Sequence, residues 1–227
     1  MVDLTSEMTE LWTRVAPPPA GRCKVLQFVS ATSGEGASTV AREFARVAAE
    51  HAKRAVWLVD LDLWAEGQVA AIGREPARYG ALGTETTGAP DDATFFAIEP
   101  PAQGGNAPHL RAHGVGGRKL WVSRFKPDGI GEDQSVEIVR DPAYWSAIRK
   151  YADIVVVDAP AADRSEAALV IAPLVDATVL VVAAEQGAAR APGALRDAVI
   201  ASGGVCAGLV FNRAKIEPPR FLKALLS

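Results

Sequence analysis

Cysteine is scarce: Cys23 and Cys206 are the two among 227 residues. That is too few for a disulfide scaffold, and it fits a reducing compartment with two inert thiols. Positive charge is not in excess either. Lys and Arg total 24 against 27 Asp and Glu, a net charge of -3, which leaves no basic field to hold nucleic acid. No apolar run reaches the length of a membrane span; the longest, Ala167 to Ala184, is cut by Pro173 and Asp176 and reads as a helix followed by a strand. The acidic opening MVDLTSEMTELW lacks the charged-then-apolar pattern of a secretory signal. The expectation is a cytoplasmic protein that meets a membrane only through a partner or a surface helix.

What is present is ordinary globular composition, 49% apolar and 22% charged, with length for one α/β domain. Residues 1–23 read as a preamble. Ser6 is placed to cap a helix over Glu7 to Val15, which Pro17-Pro18-Pro19 ends. The main domain is read over 24–227. Val25 to Ser30 is a buried-strand pattern, followed by a small-residue loop, Ala31 to Ala37. A helical period then places Val40, Phe44, Val47 and Ala48 on one face, with Arg42 and Glu43 directed elsewhere. Ala55 to Asp60 is a second strand, completing a βαβ unit.

Later strands are expected at Lys119 to Arg124, Asp153 to Asp158, Ala177 to Ala183 and Val205 to Phe211. Helices fall at Asp141-Pro142 to Lys150, Ser165 to Val175 and Arg190 to Ser202. The sum is an α/β, doubly wound, mostly parallel sheet of about six strands. The stretch from Trp64 to Arg118 holds ten of the twenty glycines and five of the fifteen prolines. It reads as loop with short helical fragments such as Glu66 to Ile72, flexible or partner-facing.

The chemistry is expected where the first strand meets the first long helix. Backbone N–H groups and a helix N-terminus converge there on an anion. Ala31, Gly36 and Ser38 fit a phosphate-binding loop of the form G-x-x-x-x-G-K-[ST] with Ala opening it, but Ala37 stands where that loop carries lysine. Asp60, Asp62 and Asp158 close two of the strands. Lys24 lies about 20 Å away at ~3.3 Å per residue, out of reach of the loop. His109 and His113 form H-x-x-x-H without the Glu of a zinc protease, and no structural metal is expected. Tyr144 and Tyr151, beside Trp145 and Ile148, read as packing residues, and Arg220 to Leu226 reads as a short amphipathic segment packed on the domain.

Three segments, VSATSGEGAST, VWLVDLDLW and DIVVVDAPAA, resemble the Walker A, A′ and B segments of bacterial tyrosine kinases of capsule and exopolysaccharide synthesis, within the MinD/ParA class of P-loop ATPases. Phe211-Asn212-Arg213 and Pro219 to Leu222 resemble exopolysaccharide and holdfast-type members. The resemblance implies a P-loop NTPase fold with a deviant Walker A. It implies nucleotide binding by Ser33, Gly34, Glu35, Gly36, Ala37, Ser38 and Thr39, with Asn212 near the adenine. It implies Mg²⁺ at Ser38, Asp60 and Asp158, and Asp62 near the attacking group. Four departures stand out: Ala37 replaces the lysine, Trp64 replaces an Arg after DxDL, the N-terminal helix carries no more of a Glu-x-x-Arg-x-x-Arg pattern than Glu10 and Arg14, and the last thirty residues contain no tyrosine.

The implied function is a kinase-like protein that has lost efficient phosphoryl transfer and binds Mg-ATP or Mg-ADP weakly. Its implied partner is an inner-membrane polysaccharide co-polymerase of the chain-length-determinant kind, and a homo-oligomer is a further expectation. Two rival readings stand beside it: an active Mg-ATP-dependent tyrosine autokinase using a substitute cation, and a MinD/ParA-like positioning ATPase.

Overall fold

Residues 3–15, 21–65, 67–117, 119–184 and 190–213 are described by the computed structural model. The expected stop at Pro17-Pro18-Pro19, the amphipathic Arg220 to Leu226, Pro219 and Glu66 lie outside them.

The centre is a sheet whose parallel strands run in the order β10 (Cys206–Asn212), β9 (Ala177–Ala183), β1 (Lys24–Ser30), β8 (Ala152–Asp158), β2 (Ala55–Asp60), β6 (Leu120–Phe125). These are the six strands expected from the apolar runs, displaced by a residue at most. Successive side chains along a strand face opposite sides. Leu26 and Phe28 therefore join one core with Val56, Leu58 and Val156, beneath α1 (Thr5–Val15), α2 (Ala37–His51) and α3 (Gly67–Arg74). Val25 and Val29 join the other with Val59, Val155 and Val157, against α5 (Pro142–Ile148), α6 (Ala167–Ile171) and α7 (Arg190–Ala201). Helices thus cover both faces, as the doubly wound reading requires.

Four local expectations are corrected. The stretch from Trp64 to Arg118 is folded rather than loop. It holds α3, α4 (Pro76–Tyr79) and the strands β3 (Leu82–Thr87), β4 (Phe96–Glu99) and β5 (Leu110–Val115). β5 and β3 extend the main sheet antiparallel beyond β6, and β4 pairs with β7 (Ser135–Ile138) in a small second sheet. Glycine here serves close packing: at Gly80, with φ +96, a Cβ would stand 2.3 Å from the Gly116 Cα.

α1 is opened by Asp3 rather than Ser6, because the Asp3 carboxylate accepts the Thr5 N–H at 3.0 Å. The helix after Asp141 is capped as expected, at 2.8 Å from Ala143 N, but ends at Ile148. Glu43 does not face away: it is buried among Arg46, Arg78 and Tyr79, which satisfy its charge.

Among the described residues no group of three or more His, Cys, Asp or Glu is placed to hold a metal ion, His109 and His113 included. Their Nδ1 atoms meet the carbonyls of Lys126 and Gly83 respectively. Both cysteines are free, and burial pushes the Cys23 thiol up to about 12. Tyr144 is fully buried against Phe95 and Trp145, whereas Tyr151 is exposed. Among the described residues no helix is long and apolar enough to cross a membrane.

Candidate functional site

The loop after β1 leaves the carboxyl end of the sheet between β8 and β9. Gly34 and Gly36 both take positive φ, and Gly36 is the N-cap of α2 without any side-chain cap of its own. The chain turns so tightly at Gly36 that a Cβ there would fall 2.1 Å from the Asn212 amide nitrogen. That amide donates to the Glu35 carbonyl at 2.8 Å, so Asn212 braces the loop from the end of β10. Glu35 turns inward and is buried; its carboxylate accepts from Thr32 N at 2.9 Å and from Ala183 N at 3.3 Å.

Ser33, Gly34, Gly36, Ala37 and Ser38 line one cavity of about 260 Å³ with Asp62, Asp158, Arg164 and Arg213. Seven of the residues singled out from the sequence are therefore brought together. Asp60 stands just behind this wall. It is paired in register with Asp158 across β2 and β8, so both side chains leave the sheet on the α2 side. Thr39 lies one step along α2, and its N–H already bonds the Gly36 carbonyl at 3.1 Å.

Two buried carboxylates on adjacent strands need donors, and a residue that sequence reasoning missed supplies them. Gln68, fully buried at the start of α3, donates its side-chain amide to Asp158 Oδ2 at 2.5 Å and to the Ser38 carbonyl at 2.9 Å. Its backbone N–H donates to Asp60 Oδ2 at 3.1 Å, and Arg42 donates to its side-chain Oε1 at 2.9 Å. Asp158 Oδ1 remains buried with no hydrogen-bond partner. A buried carboxylate oxygen in that state calls for a cation.

Burial, reinforced by the neighbouring Asp158 charge, holds the Asp60 carboxyl above the usual carboxylate range. Burial raises Asp158 as well. Both groups thus keep protons that the unfolded chain has released, so their contribution to stability is full below the ordinary value of 3.8 and is lost as pH rises through the raised values. In metal-free buffer the thermal midpoint is expected to fall between about pH 4 and pH 7 on account of these two groups. A midpoint that rises across that window would contradict the charge state described.

Asp163 and Arg164 escaped the sequence reading, and Arg213 was quoted there within Phe211-Asn212-Arg213 but given no role. Asp163 accepts from Ser33 N at 2.9 Å and Ser33 Oγ at 2.8 Å, tying the loop to the segment after β8. Arg164 pairs with Asp62 at 3.1 Å. Arg213, with φ +57, directs its N–H to Asn212 Oδ1 at 2.9 Å. For Asp163 and Arg164 the one signal was their place just after the DIVVVDAPAA segment.

No protein-family model matches the sequence, and no curated protein proves similar to it. Solved structures do share its architecture. The kinase domain of the Escherichia coli tyrosine kinase ETK superposes with a TM-score of 0.60 at 16% identity, over 91% of this chain and 73% of that one. The VpsO kinase domain gives 0.59 at 15% identity, over 94% and 100%. The fold is that of a P-loop NTPase. The septum site-determining protein MinD of Pyrococcus horikoshii, solved with Mg-ADP, shares this P-loop architecture at a TM-score of 0.56 and 15% identity, over 88% and 75%. At such identities the likeness is one of fold, and this chain's chemistry has to be argued from its own residues.

Proposed function

We propose that this chain is a nucleotide-binding regulatory protein with impaired phosphoryl transfer, the kinase-like partner of an inner-membrane polysaccharide co-polymerase in exopolysaccharide synthesis of the holdfast kind. The observation that carries the first half is Ala37, set at the first turn of α2 beside the buried carboxylates of Asp60 and Asp158, which Gln68 and backbone N–H groups satisfy in part. The residues present fit a Mg-nucleotide. The loop N–H groups from Gly34 to Ser38 would hold its phosphates, and Ser38 with the unpartnered Asp158 Oδ1 would hold Mg²⁺. Bound there, the metal supplies neutralising charge to the phosphates.

Transfer asks for more than binding. Phosphoryl-transfer catalysis is mainly positioning and charge stabilisation at the moving group. Without the lysine ammonium, Asp60, Asp62 and Asp158 repel the charge that develops there. Acceptors are few as well: the Tyr144 hydroxyl is fully buried, and the Tyr79 hydroxyl is spent on Glu43.

The partner half rests on the three motif resemblances. A fold shared with tyrosine-kinase domains is compatible with it. Its test is cross-linking of the full chain in its native cell, followed by purification. A chain-length-determinant-like membrane protein is expected to co-purify at the inner face of the membrane. Recovery of the chain without any such protein would overturn the partnership.

A further inference from the structure

We propose that Arg164 and Arg213 supply, from within the same chain, the positive charge that the loop lacks at Ala37, and that the Arg164–Asp62 ion pair is a latch that opens when a polyphosphate enters. The inference rests on the nucleotide reading above.

Both arginines line the cavity that holds Gly34, Gly36, Ala37 and Ser38. They approach it from opposite sides. Arg164 follows β8, one neighbour of β1 in the sheet, and Arg213 follows β10, beyond the other neighbour, β9. Their backbones are fixed to the loop. Asp163, the residue before Arg164, clamps Ser33 through two hydrogen bonds, and the Arg164 N–H closes a turn onto the Ala161 carbonyl at 2.9 Å. Arg213 is tied to Asn212, whose amide holds the Glu35 carbonyl. The guanidinium is the side chain whose planar fork suits phosphate oxygens.

A second feature points to the same ligand. Asp158 lines the cavity with one buried, unpartnered oxygen, which suits the Mg²⁺ that accompanies a nucleotide polyphosphate. Arg164 is committed to Asp62 at rest, but loosely. Its side chain is 57% exposed, and it meets Asp62 through a single nitrogen. Exposed pairs of this kind are weak. Moving the guanidinium from Asp62 to a phosphate would bind the ligand and free the Asp62 carboxylate in one step.

The test is calorimetric titration of the full chain with Mg-ATP and Mg-ADP, with Arg164→Ala, Arg213→Ala, Asp62→Asn and the Asp62→Asn/Arg164→Ala double variant. Arg196→Ala, on α7 and paired with Asp197, is the control and is expected to bind like the parent. Each cavity arginine variant is expected to weaken Mg-ATP by about tenfold or more. Asp62→Asn is expected to tighten binding when Arg164 is present, and to lose that gain in the double variant.

Parent-like affinity in both arginine variants would overturn the proposal, and an equal gain from Asp62→Asn in both backgrounds would overturn the latch. A silent parent beside an Ala37→Lys variant that binds would show that the arginines do not replace the lysine. Silence in both would overturn the nucleotide reading itself, and the inference with it.

Discussion

Replacing Ala37 with lysine is expected to tighten Mg-ATP binding by about 10- to 150-fold. The estimate follows from a hydrogen bond to a charged group, about 1.5–3 kcal/mol, at 1.4 kcal/mol per decade. The scaffold for the gain is in place. Gly36 already takes the left-handed turn that aims the first residues of α2 at the cavity, and Asn212 already holds the loop from below. The same ammonium would favour the charged forms of Asp60 and Asp158, drawing their carboxyls back toward the ordinary range. The fall in thermal midpoint with pH should therefore flatten in the variant. Unchanged affinity in a folded variant would mean that the loop no longer presents its donors to a phosphate.

The second large effect lies away from the cavity. Glu43→Gln is expected to cost about 3–5 kcal/mol of folding stability, as measured by chemical denaturation. Glu43 is 1% exposed, and its carboxylate accepts two bonds from Arg78 at 2.8 Å, one from Arg46 at 3.1 Å and one from the Tyr79 hydroxyl. Arg46 in turn reaches Thr5 at 2.7 Å, so one carboxylate joins α1, α2 and α4. An amide cannot accept this set and leaves two guanidinium groups underpaired. Burial alone would raise the Glu43 carboxyl, but the bonds from Arg78, Tyr79 and Arg46 outweigh it and hold the group below its ordinary 4.5. A depressed carboxyl contributes stability above its unfolded value and loses it as pH falls. The gap between parent and variant is thus expected to narrow in acid. A loss below about 1 kcal/mol at neutral pH would show the cluster to be a screened surface pair.

Glu43 also marks where sequence reading stops. Amphipathic spacing along α2 identifies Val40, Phe44, Val47 and Ala48 as core, and they are buried. The same spacing cannot show that Arg78 and Tyr79, more than thirty residues on, arrive to satisfy a carboxylate on the buried side. The six parallel strands were legible because each is a short apolar run ending in a turn or an aspartate. The strands between Trp64 and Arg118 were not. β3, LGTETT, is a half-polar strand at the sheet edge, and the glycines beside it mark close backbone contacts that look like flexibility in one dimension.

The site divides the same way. Asp60, Asp62 and Asp158 are visible because strand ends are where an α/β sheet places its chemistry. Gln68, Asp163, Arg164 and Arg213 act through neighbours that the strand order creates. Ser33 meets Asp163 only because β1 and β8 are adjacent in the sheet.

The central claim is binding without transfer. It is tested most directly by incubating the full chain with γ-labelled Mg-ATP at a concentration that calorimetry shows to saturate the site. Label in the protein, phosphotyrosine and released phosphate are then followed together. The account predicts a saturable site with no phosphotyrosine and with phosphate release near the uncatalysed background. Steady label on Tyr151 or multiple turnovers of ATP, abolished by Asp60→Ala, would contradict it and identify a working kinase or ATPase.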